Sequence, residues 1–156
     1  HELIPIAKEI EHAESYLQIQ MYRYKNQFTY DFDVDPDCLS YYCNKITLQP
    51  IIENSINHGL DLMVDEGRID VLVRQDGDDI VFSVRDNGVG MSEEQIEAIM
   101  QHGPTDRTGI GIKNVNDRLK IYFGKSYGLH ITSEPDIGTC VEIRMPKIKE
   151  GDHETK

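Results

Sequence analysis

Two neighbouring stretches of strict alternation constrain the fold more than any other feature of the chain. In residues 68–75 the apolar positions are Ile69, Val71 and Val73; in residues 79–86 they are Ile80, Phe82 and Val84. A period of two places such side chains on one face of a strand. Asp76-Gly77-Asp78 lies between the two runs, and a short glycine-bearing connection joins antiparallel neighbours. The centre of the chain is therefore expected to be a hairpin.

Other strands and helices group around it. Residues 29–34 alternate, with Tyr30, Phe32 and Val34 on one side and Thr29, Asp31 and Asp33 on the other, as in a half-buried strand. Residues 128–134 and 139–145 read as two more strands separated by a turn at 135–138. Residues 3–26 carry Leu3, Ile6, Ile10, Leu17, Met21 and Tyr24 at steps near the helical period. A second helix is expected over 47–58, where Leu48, Ile52 and Ile56 form a stripe and Gly59 supplies a stop. Pro50 is tolerated because it falls in the first turn. Ser92 and Gln95 are spaced as a capping box for a short helix over 92–100. Residues 101–108, with Gly103 and Pro104, read as a mobile loop, and 110–123 as a helix. About three helices, beside the short 92–100 segment, and five strands without a steady β-α-β alternation predict an α/β two-layer sandwich with a mixed sheet, not a doubly wound parallel sheet.

Composition narrows the function. The 156 residues are 38% hydrophobic and 28% charged, as in a globular domain, and carry a net charge of −12. That acidity argues against a nucleic-acid footprint and against electrostatic attachment to anionic lipid. No apolar run reaches the length of a spanning helix, and Glu2, Lys8, Glu9 and Glu11 interrupt any signal peptide. Cys38, Cys43 and Cys140 form no closely spaced pair, which suits a reducing compartment and disfavours zinc. The abrupt start at His1 suggests a fragment of a longer chain.

Three segments carry chemistry. Asp86-Asn87-Gly88-Val89-Gly90 ends a strand with a carboxylate followed by glycines. The carboxylate accepts from an exocyclic amine such as that of adenine, and glycine permits close approach of a flat ligand. Taken alone, the segment reads more readily as a turn. Gly109-Ile110-Gly111-Ile112 opens a helix, where exposed N–H groups attract anions; the plain alternative is a flexible helix entry. Arg107 and Lys113 stand near enough in sequence to add positive charge. Glu53, Asn54, Asn57 and His58 form a polar helix face whose oxygens suit magnesium, though a solvated face is the simpler reading. Together the three describe a nucleotide pocket under a mobile lid, without the Walker or Rossmann glycine patterns.

The order of these segments resembles the N, G1, G2 and G3 boxes of the Bergerat-fold ATPase superfamily, which includes gyrase, Hsp90-type chaperones, MutL proteins and histidine kinases. Leu48-Gln49-Pro50-Ile51-Ile52-Glu53-Asn54-Ser55-Ile56-Asn57-His58-Gly59 resembles the N box of the YesM/LytS-like sensor kinases. Asp86 to Gly90 resembles G1, Thr108 to Val115 resembles G2, and Gly138-Thr139 resembles G3. The resemblance implies a mixed, mostly antiparallel five-stranded sheet, with ATP and Mg2+ as cofactors. It implies that Asn54 coordinates magnesium and that Glu53 belongs to its shell or orients it. It implies that Asp86 binds the adenine amine, with Gly88 and Gly90 making room for the base and Thr139 holding a water. Thr108, Gly109, Gly111 and Lys113 fall to the phosphate-binding lid, and His58 to a place beside the base.

The chain departs from that pattern in two places. Asn57 stands where many members carry a phosphate-contacting lysine, and Pro50 where gyrase-like relatives carry the water-activating glutamate. The second departure favours transfer to a histidine over hydrolysis. No His-Phe-x-x-Asn acceptor motif occurs in the chain. The resemblance thus implies a linker helix over 1–27, a catalytic domain over 28–148 and a charged tail over 149–156. Its partners would be a separate dimerisation domain and a response regulator, and its place the cytoplasmic side of a membrane-anchored bacterial sensor, without direct membrane contact. An anti-sigma-factor-type serine kinase and a non-catalytic domain of the same fold are the alternatives.

Overall fold

The computed structural model describes residues 3–24, 27–45, 47–58, 66–102 and 111–149. The expected hairpin is its centre. Strands β4 (Gly67–Asp76) and β5 (Asp79–Asp86) pair antiparallel across a turn in which Gly77 takes φ 60°. Strand β7 (Gly138–Pro146) pairs antiparallel with β5, and β6 (Gly128–Glu134) pairs antiparallel with β7. Strand β2 (Phe28–Val34) completes the sheet in parallel with β4, giving the order β2-β4-β5-β7-β6.

Register explains why this sheet has one buried face. The aligned set Phe32, Val71, Val84, Val141 and Ile131 crosses all five strands, followed by Val34, Val73, Phe82, Ile143 and Leu129. Side chains in such rows point the same way and pack as cross-strand neighbours. The opposite face carries Arg68, Asp70 and Arg74, with Asp70 and Asp33 held in ion pairs. One dry and one wet face is the ordinary state of a mainly antiparallel sheet.

Among the described residues four α-helices accompany the sheet: α1 (Ile6–Arg23), α2 (Leu48–His58), α3 (Glu93–His102) and α4 (Ile112–Phe123). Ile6, Ala13 and Leu17 of α1, Leu48, Ile51, Ile52 and Ile56 of α2, and Ile112, Val115 and Leu119 of α4 join the sheet residues in one core. The capping box of α3 forms as expected: Ser92 N–H donates to Gln95 Oε1 at 2.8 Å, and Gln95 N–H to Ser92 Oγ at 3.2 Å.

The first helix begins three residues later than its periodicity predicts. Leu3–Pro5 form strand β1, paired antiparallel with β3 (Tyr42–Asn44), a short strand that the sequence reading does not contain. Pro5 sets the boundary: its φ of −58° and ψ of 143° are extended, and proline restrains its predecessor to extended backbone as well. The stripe of α1 also hides a carboxylate, since Glu9 is 2% exposed. Its Oε2 accepts from the N–H groups of Thr47 at 2.6 Å and Leu48 at 2.8 Å. Thr47 turns its own hydroxyl to the carbonyl of Asn44, so α1 supplies the cap of α2. No described helix is long and apolar enough to cross a membrane.

Candidate functional site

The alternation that buries Ile80, Phe82 and Val84 carries one step further, to Asp86. The last row of the buried face runs Tyr30, Ile69, Asp86, Thr139, Ser133. Its second half replaces apolar side chains with a carboxylate and two hydroxyls at the ends of β5, β7 and β6.

Asp86 Oδ1 accepts from the N–H of Gly88 at 2.8 Å. Burial pushes its carboxyl above the usual carboxylate range. The Gly88 N–H, the Ser55 hydroxyl and the Thr139 N–H oppose that shift by favouring the ionised form. Ser55 lies on the buried side of α2, and its Oγ makes no hydrogen bond of regular geometry. The Asp86 carboxylate is the acceptor that its proton serves.

The turn after Asp86 is shaped by its surroundings. Asn87 is turned outward: its Oδ1 accepts from Arg68 N–H at 2.7 Å and its Nδ2 donates to the carbonyl of Glu66 at 3.3 Å. Gly88 is buried. Gly90 has φ 73°, and a Cβ there would lie 2.1 Å from the carbonyl oxygen of Glu134. Gly138, at φ 149°, would set a Cβ 2.0 Å from the carbonyl oxygen of Asp86 itself. Only glycine lets β7 start that close to the aspartate.

On α2, Asn54 and Asn57 are half-buried, and neither amide has a hydrogen-bond partner among the described residues. Glu53 turns towards α1, where its Oε2 lies 3.5 Å from the Tyr16 hydroxyl. Burial, followed by the Glu53 charge, pushes the Tyr16 phenol up to about 12. His58 ends α2, but its side chain lies outside the described residues, as do Arg107, Thr108 and Gly109. Gly111 is the N-cap of α4 in extended backbone, with no side-chain cap. Lys113 pairs with Asp117 one turn along the same helix, at 2.5 Å.

The structure thus gathers Asp86, Gly88, Gly90 and Thr139 at one end of the sheet beneath α2. It gives Glu53 and Lys113 partners of their own. Ser55 and Ser133 belong to the same cluster, although the sequence reading gives them no role. Aligning Ser133 with Thr139 would have found the second. The chemistry on offer is a set of oxygen acceptors around a recessed carboxylate, suited to a flat ligand that presents N–H groups.

The model of the histidine kinase-, DNA gyrase B- and HSP90-like ATPases matches residues 43–149. The chain belongs to this ATPase family. Among its relatives, the sensor histidine kinase BtsS of Escherichia coli K12 is 31% identical over 145 residues, covering 93% of this chain and 24% of BtsS. The sensor histidine kinase YesM of Bacillus subtilis 168 is 30% identical over 145 residues, covering 93% of this chain and 24% of YesM. The chain therefore spans about a quarter of the length of the curated relatives it matches. The catalytic domain of histidine kinase ThkA shares the fold, with a TM-score of 0.71 at 16% identity over 94% of this chain and 95% of that one. ThkA has also been solved in complex with the response regulator protein TrrA. Within the family, this chain falls with the ATPase domains of sensor histidine kinases, as its N-box resemblance implies.

Proposed function

We propose that the chain binds ATP with magnesium and transfers the γ-phosphoryl group to a histidine on a separate dimerisation domain, for relay to a response regulator. The observation that carries this reading is the recessed Asp86 carboxylate, held by Gly88 and flanked by Thr139 at the end of the buried face. Asp86 accepts from the adenine amine, Thr139 supports a water beside it, and Gly88 and Gly90 leave room for the base. The place beside the base is assigned to His58. The N–H groups at the start of α4 behind Gly111 face the phosphates, and Thr108, Gly109 and Lys113 are assigned to the same phosphate-binding segment.

The amides of Asn54 and Asn57 fit a hard cation and its phosphate ligand: both lack other partners among the described residues, and an amide oxygen is a hard donor. Asn54 would hold magnesium, with Asn57 donating to a phosphate oxygen. Magnesium, when bound, neutralises charge on the phosphates. Glu53 orients the α2 face from its place against Tyr16. The acceptor histidine's neutral imidazole attacks the γ-phosphorus; the bond to the bridging oxygen breaks and ADP leaves. The protein contributes position and charge, not a covalent intermediate of its own. A linking role for residues 1–27, a charged tail over 149–156 and a cytoplasmic site of action belong to the same proposal.

The test is phosphoryl transfer in trans. The full-length kinase with its own nucleotide site inactivated by Asp86→Asn supplies the acceptor histidine, and this chain supplies the site. Labelled ATP with magnesium should yield acid-labile phosphohistidine on the acceptor. Label on serine instead would move the chain to a serine-kinase role, and nucleotide binding without transfer would remove the catalytic part of the proposal.

A further inference from the structure

Ser133 makes three contacts. Its Oγ accepts from the Met91 N–H at 2.8 Å, lies 2.8 Å from the carbonyl oxygen of Gly138, and lies 2.7 Å from Thr139 Oγ1. A serine hydroxyl has one proton and two lone pairs. The Gly138 carbonyl can only accept and the Met91 N–H can only donate. The serine proton therefore goes to Gly138, and the bond to Thr139 must use the threonine's proton. The reverse polarity would set two oxygen lone pairs against each other at the 2.8 Å contact with Gly138.

Thr139 is 8% exposed and stands directly opposite Asp86 in the ladder, on the same face of the sheet. With its one proton committed to Ser133, its hydroxyl offers only lone pairs to anything bound beside Asp86. The ionised carboxylate likewise only accepts. The end of the buried row is then a run of acceptors without a donor. An amino group fits it; a carbonyl oxygen at the same place would meet repulsion.

We propose that Ser133 is a positioning residue that sets the polarity of Thr139 and thereby makes the site select an amino-bearing purine over an oxo-bearing one, adenine over guanine. The proposal rests on the ATP-binding reading above. It adds a residue that contacts no ligand and acts by fixing a proton. Nucleobase sites built on unpaired buried acceptors reject the wrong partner because desolvated lone pairs are left facing each other. Freed from Ser133, Thr139 could turn its proton towards a guanine carbonyl and relax that rejection.

The experiment is calorimetric titration with the magnesium complexes of non-hydrolysable ATP and GTP analogues. It compares wild type with Ser133→Ala, Ser133→Thr and Ser133→Cys, each checked by thermal melting. Wild type should bind the ATP analogue and discriminate against the GTP analogue. Ser133→Ala should narrow that ratio by about fivefold, the worth of one hydrogen bond of ~1 kcal/mol, chiefly by binding the GTP analogue better. Ser133→Thr, which keeps the hydroxyl, should restore the ratio. Should Ser133→Ala not fold, Ser133→Cys, with a weaker acceptor, should give an intermediate ratio. A merely structural serine would weaken both nucleotides by the same factor and leave the ratio unchanged, and that outcome would overturn the proposal. Failure of the folded wild type to bind either analogue would overturn the ATP-binding reading instead.

Discussion

Asp86 joins a proposed role in binding to a cost in stability. Burial raises its carboxyl above the range it has in an unfolded chain. Between the unfolded and the folded value the native state holds the extra proton. Stability is therefore greater on the acid side of that window and declines as pH rises through it. Above it, the ionised carboxylate is a standing cost to the empty domain. Asp86→Asn should consequently melt no lower than wild type at neutral pH in the absence of nucleotide, and a clearly lower melting temperature would contradict this account. Binding has the opposite sign, because an amine donor prefers the ionised acceptor. Affinity for adenosine should weaken as pH falls from 7.5 into the window above ~4, where an unperturbed aspartate titrates, and should not change in this way for Asp86→Asn. Two glycines allow a matched comparison. Gly77→Ala meets nothing within 4 Å and should lose only the ~1 kcal/mol of a left-handed backbone. Gly138→Ala drives its Cβ against the Asp86 carbonyl at 2.0 Å and should lose about 3 kcal/mol or more in urea denaturation. Its nucleotide affinity should fall with it. Equal losses from the two would argue against the close packing of β7 on Asp86.

At the scale of elements, the periodic segments were legible and the contacts between them were not. Alternation marks β2, β4 and β5, and the turn at 135–138 marks β6 and β7 on either side, each to within a residue or two, because a sheet with one dry face imprints that face on its sequence. The capping box found the start of α3. Two things escaped. Strands β1 and β3 are each three residues long, too short for any period to register, and Leu3 imitates the apolar stripe of the helix that follows. The buried carboxylate of Glu9 was invisible because its partners are Thr47 and Leu48, far along the chain. That carboxylate is what starts the helix bearing Asn54 and Asn57. Glu9→Ala leaves two buried N–H groups without an acceptor, which should destabilise the domain by about 2 kcal/mol. Glu9→Gln keeps an acceptor oxygen and should lose less. If both changes leave the urea midpoint unmoved, α1 does not hold the start of α2.

At the scale of the molecule, the order of three weak signals along the chain points to a nucleotide. Asp86-Asn87-Gly88, the polar face of α2 and the glycines before α4 each have a plain alternative. Folding brings Asp86, Gly88, Gly90 and Thr139 to one end of the sheet under α2. It also turns the Asn87 amide away from that end, onto the backbone of Glu66 and Arg68. Ser133 and Ser55 became apparent only through register and burial, since serine at a strand end or on a helix carries no signal by itself. The chain has no acceptor motif, so the domain incubated alone with labelled MgATP should gain no acid-labile phosphate. Label on one of its own histidines would contradict transfer to a separate domain. The central claim is the adenine pocket around Asp86. The most direct test is calorimetric titration of wild type and Asp86→Asn with a non-hydrolysable ATP analogue and magnesium. The account predicts saturable binding with one site per chain for wild type, and at least tenfold weaker binding for a folded Asp86→Asn, about 1.4 kcal/mol or more for a lost charge-assisted hydrogen bond. Equal affinity in the two proteins would contradict it.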